Sequence, residues 1–205
     1  MNDTARTCIA FDGTRRIAAG TLPQVALIAK AAADRSAVQL LVFDDRTSEL
    51  IDMDLRGLAS DVLKRLALSA PQKSPHAEAP GHPADGPRGP GRPRLGVIAR
   101  EVTLLPRHWE WLNRQPGSAS VALRKLVEEA RRVNGSKDRV RQSQEASYRF
   151  MSALAGDLTG FEEATRALFA GDAARFESLV AAWPVDVRTH AAHLAAPAFE
   201  RHADA

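Results

Sequence analysis

The stretch from Ala70 to Arg94 limits what this chain can fold into more than any other. Seven of the chain's twelve prolines fall there (Pro71, Pro75, Pro80, Pro83, Pro87, Pro90 and Pro93), interleaved with Gly81, Gly86, Gly89 and Gly91. Proline removes a backbone donor, and glycine loses much conformational freedom when ordered. Almost no bulky apolar side chain is present to offset that cost. The composition predicts a flexible linker over residues 70–96, with separate folding units on either side. The full length of 205 residues suits one ordinary domain or two small ones.

Before the linker, residues 1–69 read as a compact ββαββα unit. "TCIAF" and "RRIAAG" flank Asp12-Gly13, a two-residue hairpin signal. Thr21 and Pro23 open a helix whose apolar face carries Leu22, Val25, Ile28, Ala29 and Ala32. "LLVFDD" and "LIDMDL" read as strands, and Leu58, Val62 and Leu66 return to helical spacing. After the linker, residues 97–136 read as strand, helix, tight turn and helix. In that second helix Leu123, Leu126, Val127 and Ala130 share a face, and Asn134-Gly135 is a stop signal. Residues 137–196 read as further helices, with expected stops at Gly156, Pro184 and before Pro197, and 197–205 as a frayed tail. The expected class is α+β.

Aromatic residues make up 5% of the chain against 44% hydrophobic residues, so the core should be mostly aliphatic. The single Cys8 excludes an internal disulfide and a cysteine-rich zinc site. No run of apolar residues is long enough to span a bilayer, and the first residues do not resemble a secretory signal. A cytoplasmic protein with no membrane partner is expected. Charge is distributed unevenly. Residues 88–141 hold 13 Lys+Arg against 5 Asp+Glu, a net of +8 in a chain whose total is +3. Such a concentration points to a polyanion partner.

Two motifs give that partner a form. "REVTLLPRHWEWLNRQPGSASVALRKLVEEARR" resembles the ribbon-helix-helix DNA-binding family. The match rests on a short strand, Pro106 at its end, a first helix with an inward aromatic, a Gly117-Ser118 turn and an amphipathic second helix. The resemblance implies a homodimer whose paired strands enter the major groove, with the second helix N-terminus facing phosphate. The register departs from the family: Val102 and Leu104 suit the buried face, leaving Glu101 and Thr103 outward. A helix-turn-helix reading of the two helices is the alternative. "GRPR" at Gly91–Arg94 resembles the core of an AT-hook, a minor-groove reader, but Pro90 stands where the fuller motif has arginine. Together these imply DNA contacts by Arg88, Arg92, Arg94, Arg100, Thr103, Arg107, Ser118, Arg124 and Lys125.

Other constellations carry less chemistry. Asp44, Asp45, Asp52 and Asp54 offer oxygen ligands for a hard cation, but turn chemistry and a solvated strand face explain them as well. His190 and His193 are spaced to reach one ion, yet two ligands are too few, and His190 falls on an apolar stripe. No nucleophile motif or phosphate-cradling glycine loop occurs. No catalytic residue, cofactor or metal is expected, and the chain is read as a non-enzyme.

Across nearly its whole length the chain resembles a bacterial family catalogued as domain of unknown function 2239. The resemblance is carried by "LLVFDDRTSELIDMDLRG", "GRPRLGVIAREVTLLPRHWEWL", "GSASVALRKLVEEAR" and "FAGDAARFESLVAAWPVDVR". It implies no activity. The expectation from the residues is a DNA-binding protein, a transcriptional regulator or nucleoid-associated factor. The alternative is a protein-interaction or assembly module without nucleic acid.

Overall fold

A computed structural model describes residues 7–35, 39–69 and 100–200. The expected linker at 70–96 lies outside the described residues, as do Arg88, Arg92, Arg94 and the first part of the expected 97–105 strand. Three strands and seven helices are described: β1 (Thr7–Asp12), β2 (Arg15–Thr21), α1 (Leu22–Asp34), β3 (Leu40–Asp44), α2 (Ala59–Ser69), α3 (Pro106–Asn113), α4 (Ala119–Leu154), α5 (Phe161–Ala170), α6 (Ala173–Val180) and α7 (Val185–Phe199). The chain divides into two compact units. One joins Met1–Ala70 with Asn134–Ala205, and the other is Pro71–Val133.

The first unit is built on an antiparallel sheet of order β2-β1-β3. The β1–β2 hairpin turns through Gly13 and Thr14, with Gly13 at φ 58, a conformation glycine adopts without strain. Side chains alternate across a strand, so β1 serves two cores at once. Cys8 and Ala10 pack with Ala18, Val25, Ala29 and Val42 on the α1 side. Ile9 and Phe11, with Phe43 of β3, face the opposite way and pack into α4–α7. An uninterrupted apolar run such as "CIAF" suits a strand covered on both faces. The segments expected as an N-terminal domain and a helical region therefore share one core.

Aromatic rings form the centre of that core. Phe150 of α4 lies 5.3 Å from Phe11, 5.4 Å from Phe43 and 4.6 Å from His190, ring centre to ring centre. Offset and edge-on contacts at such distances add to the burial of each ring. The helices close around the cluster with specific ties. Asp172 caps α6 by accepting from the Arg175 amide at 3.1 Å, and Trp183 Nε1 donates to the Thr159 carbonyl at 3.0 Å.

Three elements differ from the sequence expectation. "LIDMDL" forms no strand beyond a single bridge between Phe43 and Leu50. Its later backbone turns to side chains instead: the Asp54 carbonyl accepts from Arg65 at 2.7 Å, and the Asp54 carboxylate pairs with Arg56. The unit is thus ββαβα. Asn134-Gly135 does not end a helix, because α4 runs through it for 36 residues. One interior glycine costs a helix about 1 kcal/mol. The ion pairs Arg131–Glu128, Arg132–Glu129 and Arg141–Asp138 support the helix on both sides. Finally, α7 continues past Pro197 to Phe199, whose ring packs 5.4 Å from Phe176.

His190 is 3% exposed, and its Nε2 has no hydrogen-bond partner. Burial pushes the imidazole down to about 4 from its ordinary 6.5, partly opposed by Asp45. Below pH 6.5 the unfolded chain takes up a proton that the folded chain refuses. Stability attached to His190 is therefore complete above about pH 6.5 and falls by about 1.4 kcal/mol per pH unit toward pH 4. Urea denaturation at pH 7, 6 and 5 should show this fall in the native chain and a shallower one in His190→Phe.

Candidate nucleic-acid interface

The second unit contains the residues that sequence reasoning linked to DNA. Pro106 stands at the first position of α3, where its missing donor costs nothing, and its fixed φ suits a helix start. After Asn113 the chain turns through Arg114–Ser118. Gly117 adopts φ 96, a backbone that side-chain-bearing residues rarely take. The Ser118 carbonyl accepts from the amides of Val121 and Ala122 at 2.9 and 3.1 Å, which starts α4. Ser118 thus stands just before α4, and the first-turn amides of α4 point back past it.

The expected strand is absent over its described part. Residues 100–105 carry no ladder, and Leu105 already serves as the N-cap of α3. Among the described residues no strand pairs with this segment. The inward aromatic expected in α3 is not found either. Leu112 is the buried residue at 2% exposure, whereas Trp109 and Trp111 are both exposed. Leu112, two residues before the turn, is on a different face of α3 from the exposed tryptophans.

α4 presents two contrasting stripes in this unit. Ala122 is buried, but Leu126, Val127 and Val133 are 47%, 54% and 59% exposed. Leu123, Leu126, Ala130 and Val133 recur at spacings of three and four, the pattern that mates one helix with another. On the opposite face of the helix lies a shallow polar surface lined by Arg124, Lys125, Glu128, Glu129, Arg131 and Arg132. Arg131 pairs with Glu128 at 3.1 Å and Arg132 with Glu129 at 2.7 Å. The Glu129 carboxyl is held below its ordinary range, chiefly by its hydrogen bond to Arg132. Among the described residues Arg124 and Lys125 form no ion pair, although Arg124 Nε donates to the Ser120 carbonyl at 3.1 Å.

The expected contact residues thus separate into two groups. Arg107, Ser118, Arg124 and Lys125 are all exposed on α3 and the start of α4, and Arg100 and Thr103 are exposed on the segment before α3. Arg88, Arg92 and Arg94 are outside the described residues. Arg131 and Arg132 were not singled out from the sequence, yet they share the surface of Arg124 and Lys125. Their seven-residue spacing on one continuous helix was the available signal.

Elsewhere the suspected metal sites do not form. Among the described residues no group of three His, Cys, Asp or Glu side chains is placed to hold a metal ion. Asp44 accepts from the amides of Arg46 and Thr47 at 3.0 and 2.9 Å, ordinary turn chemistry. The Asp54 carboxyl is lowered to about 2, first by its side-chain bond to Arg56. His193 is exposed while His190 is buried. Among the described residues no helix is long and apolar enough to cross a membrane.

Compared with protein-family models, residues 7–195 match the one described as an uncharacterized protein conserved in bacteria (DUF2239). No curated protein matches, and no solved structure does.

The turn geometry gives a stability test. A side chain at Gly117 must hold the positive φ and would also meet Val121 at 3.5 Å. Gly117→Ala should cost about 1 kcal/mol or more, read as earlier thermal loss of helix signal in circular dichroism.

Proposed function

We propose that this chain, which belongs to the bacterial family DUF2239, is a DNA-binding protein that acts as a homodimer through residues 100–133. In this reading it regulates transcription or takes part in nucleoid organisation. The observation that carries the proposal is the pairing of stripes on α4. Arg124 and Lys125 keep their charge available for phosphate, one to two turns beyond Ser118, where the helix dipole also favours an anion. The apolar stripe of Leu126, Val127 and Val133 on the opposite face of α4 is exposed among the described residues. A heptad-like stripe is self-complementary, so a second copy is the simplest cover. Dimers of this kind place two helix N-termini on neighbouring phosphates or grooves.

The ribbon-helix-helix form of the proposal requires residues 100–105 to pair with the same segment of a second copy. The helix-turn-helix form uses only α3, the Arg114–Ser118 turn and α4, which are all formed within one chain. The arm at Arg88, Arg92 and Arg94 belongs to the proposal in either form. One observation favours the alternative of an assembly module: Glu128 and Glu129 neutralise Arg131 and Arg132 and so reduce the positive field of α4.

Duplex binding measured across a salt series separates the two readings. DNA binding through phosphates requires log affinity to fall linearly with log salt, by about 0.9 per phosphate contact. Arg124→Ala with Lys125→Ala should weaken binding on all sequences and lower that slope by about 2. The absence of any duplex complex at low salt and micromolar protein would leave the assembly reading in place.

A further inference from the structure

The first unit contains a cleft that the DNA reading does not use. It lies between the turn after β3, the α4 residues from Arg139 to Arg149, and α7 near His193, and its volume is about 800 Å³. Ligand sites commonly fall in the range of about 300–1,000 Å³. Its walls are tied together. Asp44 fixes the turn by accepting from the Arg46 and Thr47 amides, Arg149 donates to the Thr47 carbonyl at 3.0 Å, and Ser143 Oγ donates to the Leu194 carbonyl at 2.6 Å. A site fixed in advance loses little entropy when it is filled.

The lining balances its charges. Arg46, Arg139 and Arg149 face Asp45, Glu49 and Glu145. Arg149 pairs with Glu145 at 3.8 Å within this lining, and the balanced surface offers little net attraction to a simple anion or cation. A ligand carrying both signs satisfies both sets. Glu49 and Arg149 also line a second, adjoining cleft of about 580 Å³, whose other walls include Phe43, Leu50, Tyr148 and Ala153. Leu50 and Tyr148 are exposed there. Ser48 lines the same cleft. It is 2% exposed, its Oγ has no partner, and its φ is 52, the one positive φ outside glycine among the described residues. A strained residue with an orphaned buried polar atom is a feature that gathers at ligand sites.

We propose that these joined clefts bind a small zwitterion with an apolar side chain, of the α-amino-acid type. Its carboxylate meets Arg46 and Arg149, its ammonium meets Glu49 and Asp45, and its side chain lies on Leu50 and Tyr148. The site lies wholly in the first unit and stands apart from the DNA reading, whose failure would leave it untouched.

Isothermal titration of the full chain tests it with L-phenylalanine and L-leucine as probes. Phenethylamine, 3-phenylpropionate and inorganic phosphate supply ammonium only, carboxylate only and a simple anion. Saturable binding of L-phenylalanine is expected, with each single-charge probe about tenfold weaker or more. Arg46→Ala, whose exposed side chain takes no part in fixing the turn, should weaken L-phenylalanine by a similar factor with unchanged thermal unfolding. Leu50→Asp should do the same for both amino acids. Three results would each overturn the proposal: no saturable binding of either amino acid at millimolar concentration, single-charge probes binding as well as L-phenylalanine, or full affinity in Arg46→Ala.

Discussion

Everything in the first unit depends on a three-stranded sheet that must be covered on both faces. Its strands are apolar on both faces, and apolar surface on either side left in water is costly. Its central strand sends Cys8 and Ala10 one way and Ile9 and Phe11 the other, so neither half of the chain completes the fold by itself. The contact of Phe150 and His190 with Phe11 and Phe43 closes the second face. The same arrangement leaves an imidazole in apolar surroundings, and acid is therefore coupled to the stability of the whole unit.

Much of this was legible in the sequence. The hairpin at Gly13 and the entry to α1 at Thr21 and Pro23 follow from local chemistry, and local chemistry survives folding. What was not legible depends on neighbours distant in the chain. "CIAF" reads as a strand, but nothing in it says that its second face meets a helix some 140 residues later. Asn134-Gly135 looks like a stop because glycine and asparagine favour helix ends. That preference is weak beside a continuing helical pattern flanked by ion pairs. "LIDMDL" alternates like a strand, yet Arg65 and Arg56 engage the backbone and carboxylate of Asp54. Of the candidate interface, Arg100, Thr103, Arg107, Ser118, Arg124 and Lys125 are exposed. The inward residue of α3 was misread: tryptophan has the larger surface, but Leu112 is the side chain that is buried.

The second unit presents the opposite situation to the first. Within it Leu112 and Ala122 are buried, while larger apolar side chains on α3 and α4 remain in water. A helix as short as α3 gains most of its stability from packing of an apolar face, and among the described residues much of the apolar surface of α3 and of this part of α4 is exposed. Uncovered apolar stripes of regular spacing mark places of association. The basic residues on the opposite face of α4 stay outward when the stripe is covered, and the proposal of DNA as partner rests on that separation of faces.

The second copy is therefore the point on which the functional account turns. Sedimentation equilibrium of the full chain beside Leu126→Asp tests it most directly. The account predicts a dimer for the native chain and a folded monomer for the variant, with matching circular dichroism from the first unit. A native chain that sediments as a monomer at micromolar concentration, or a variant that dimerises equally well, would contradict it.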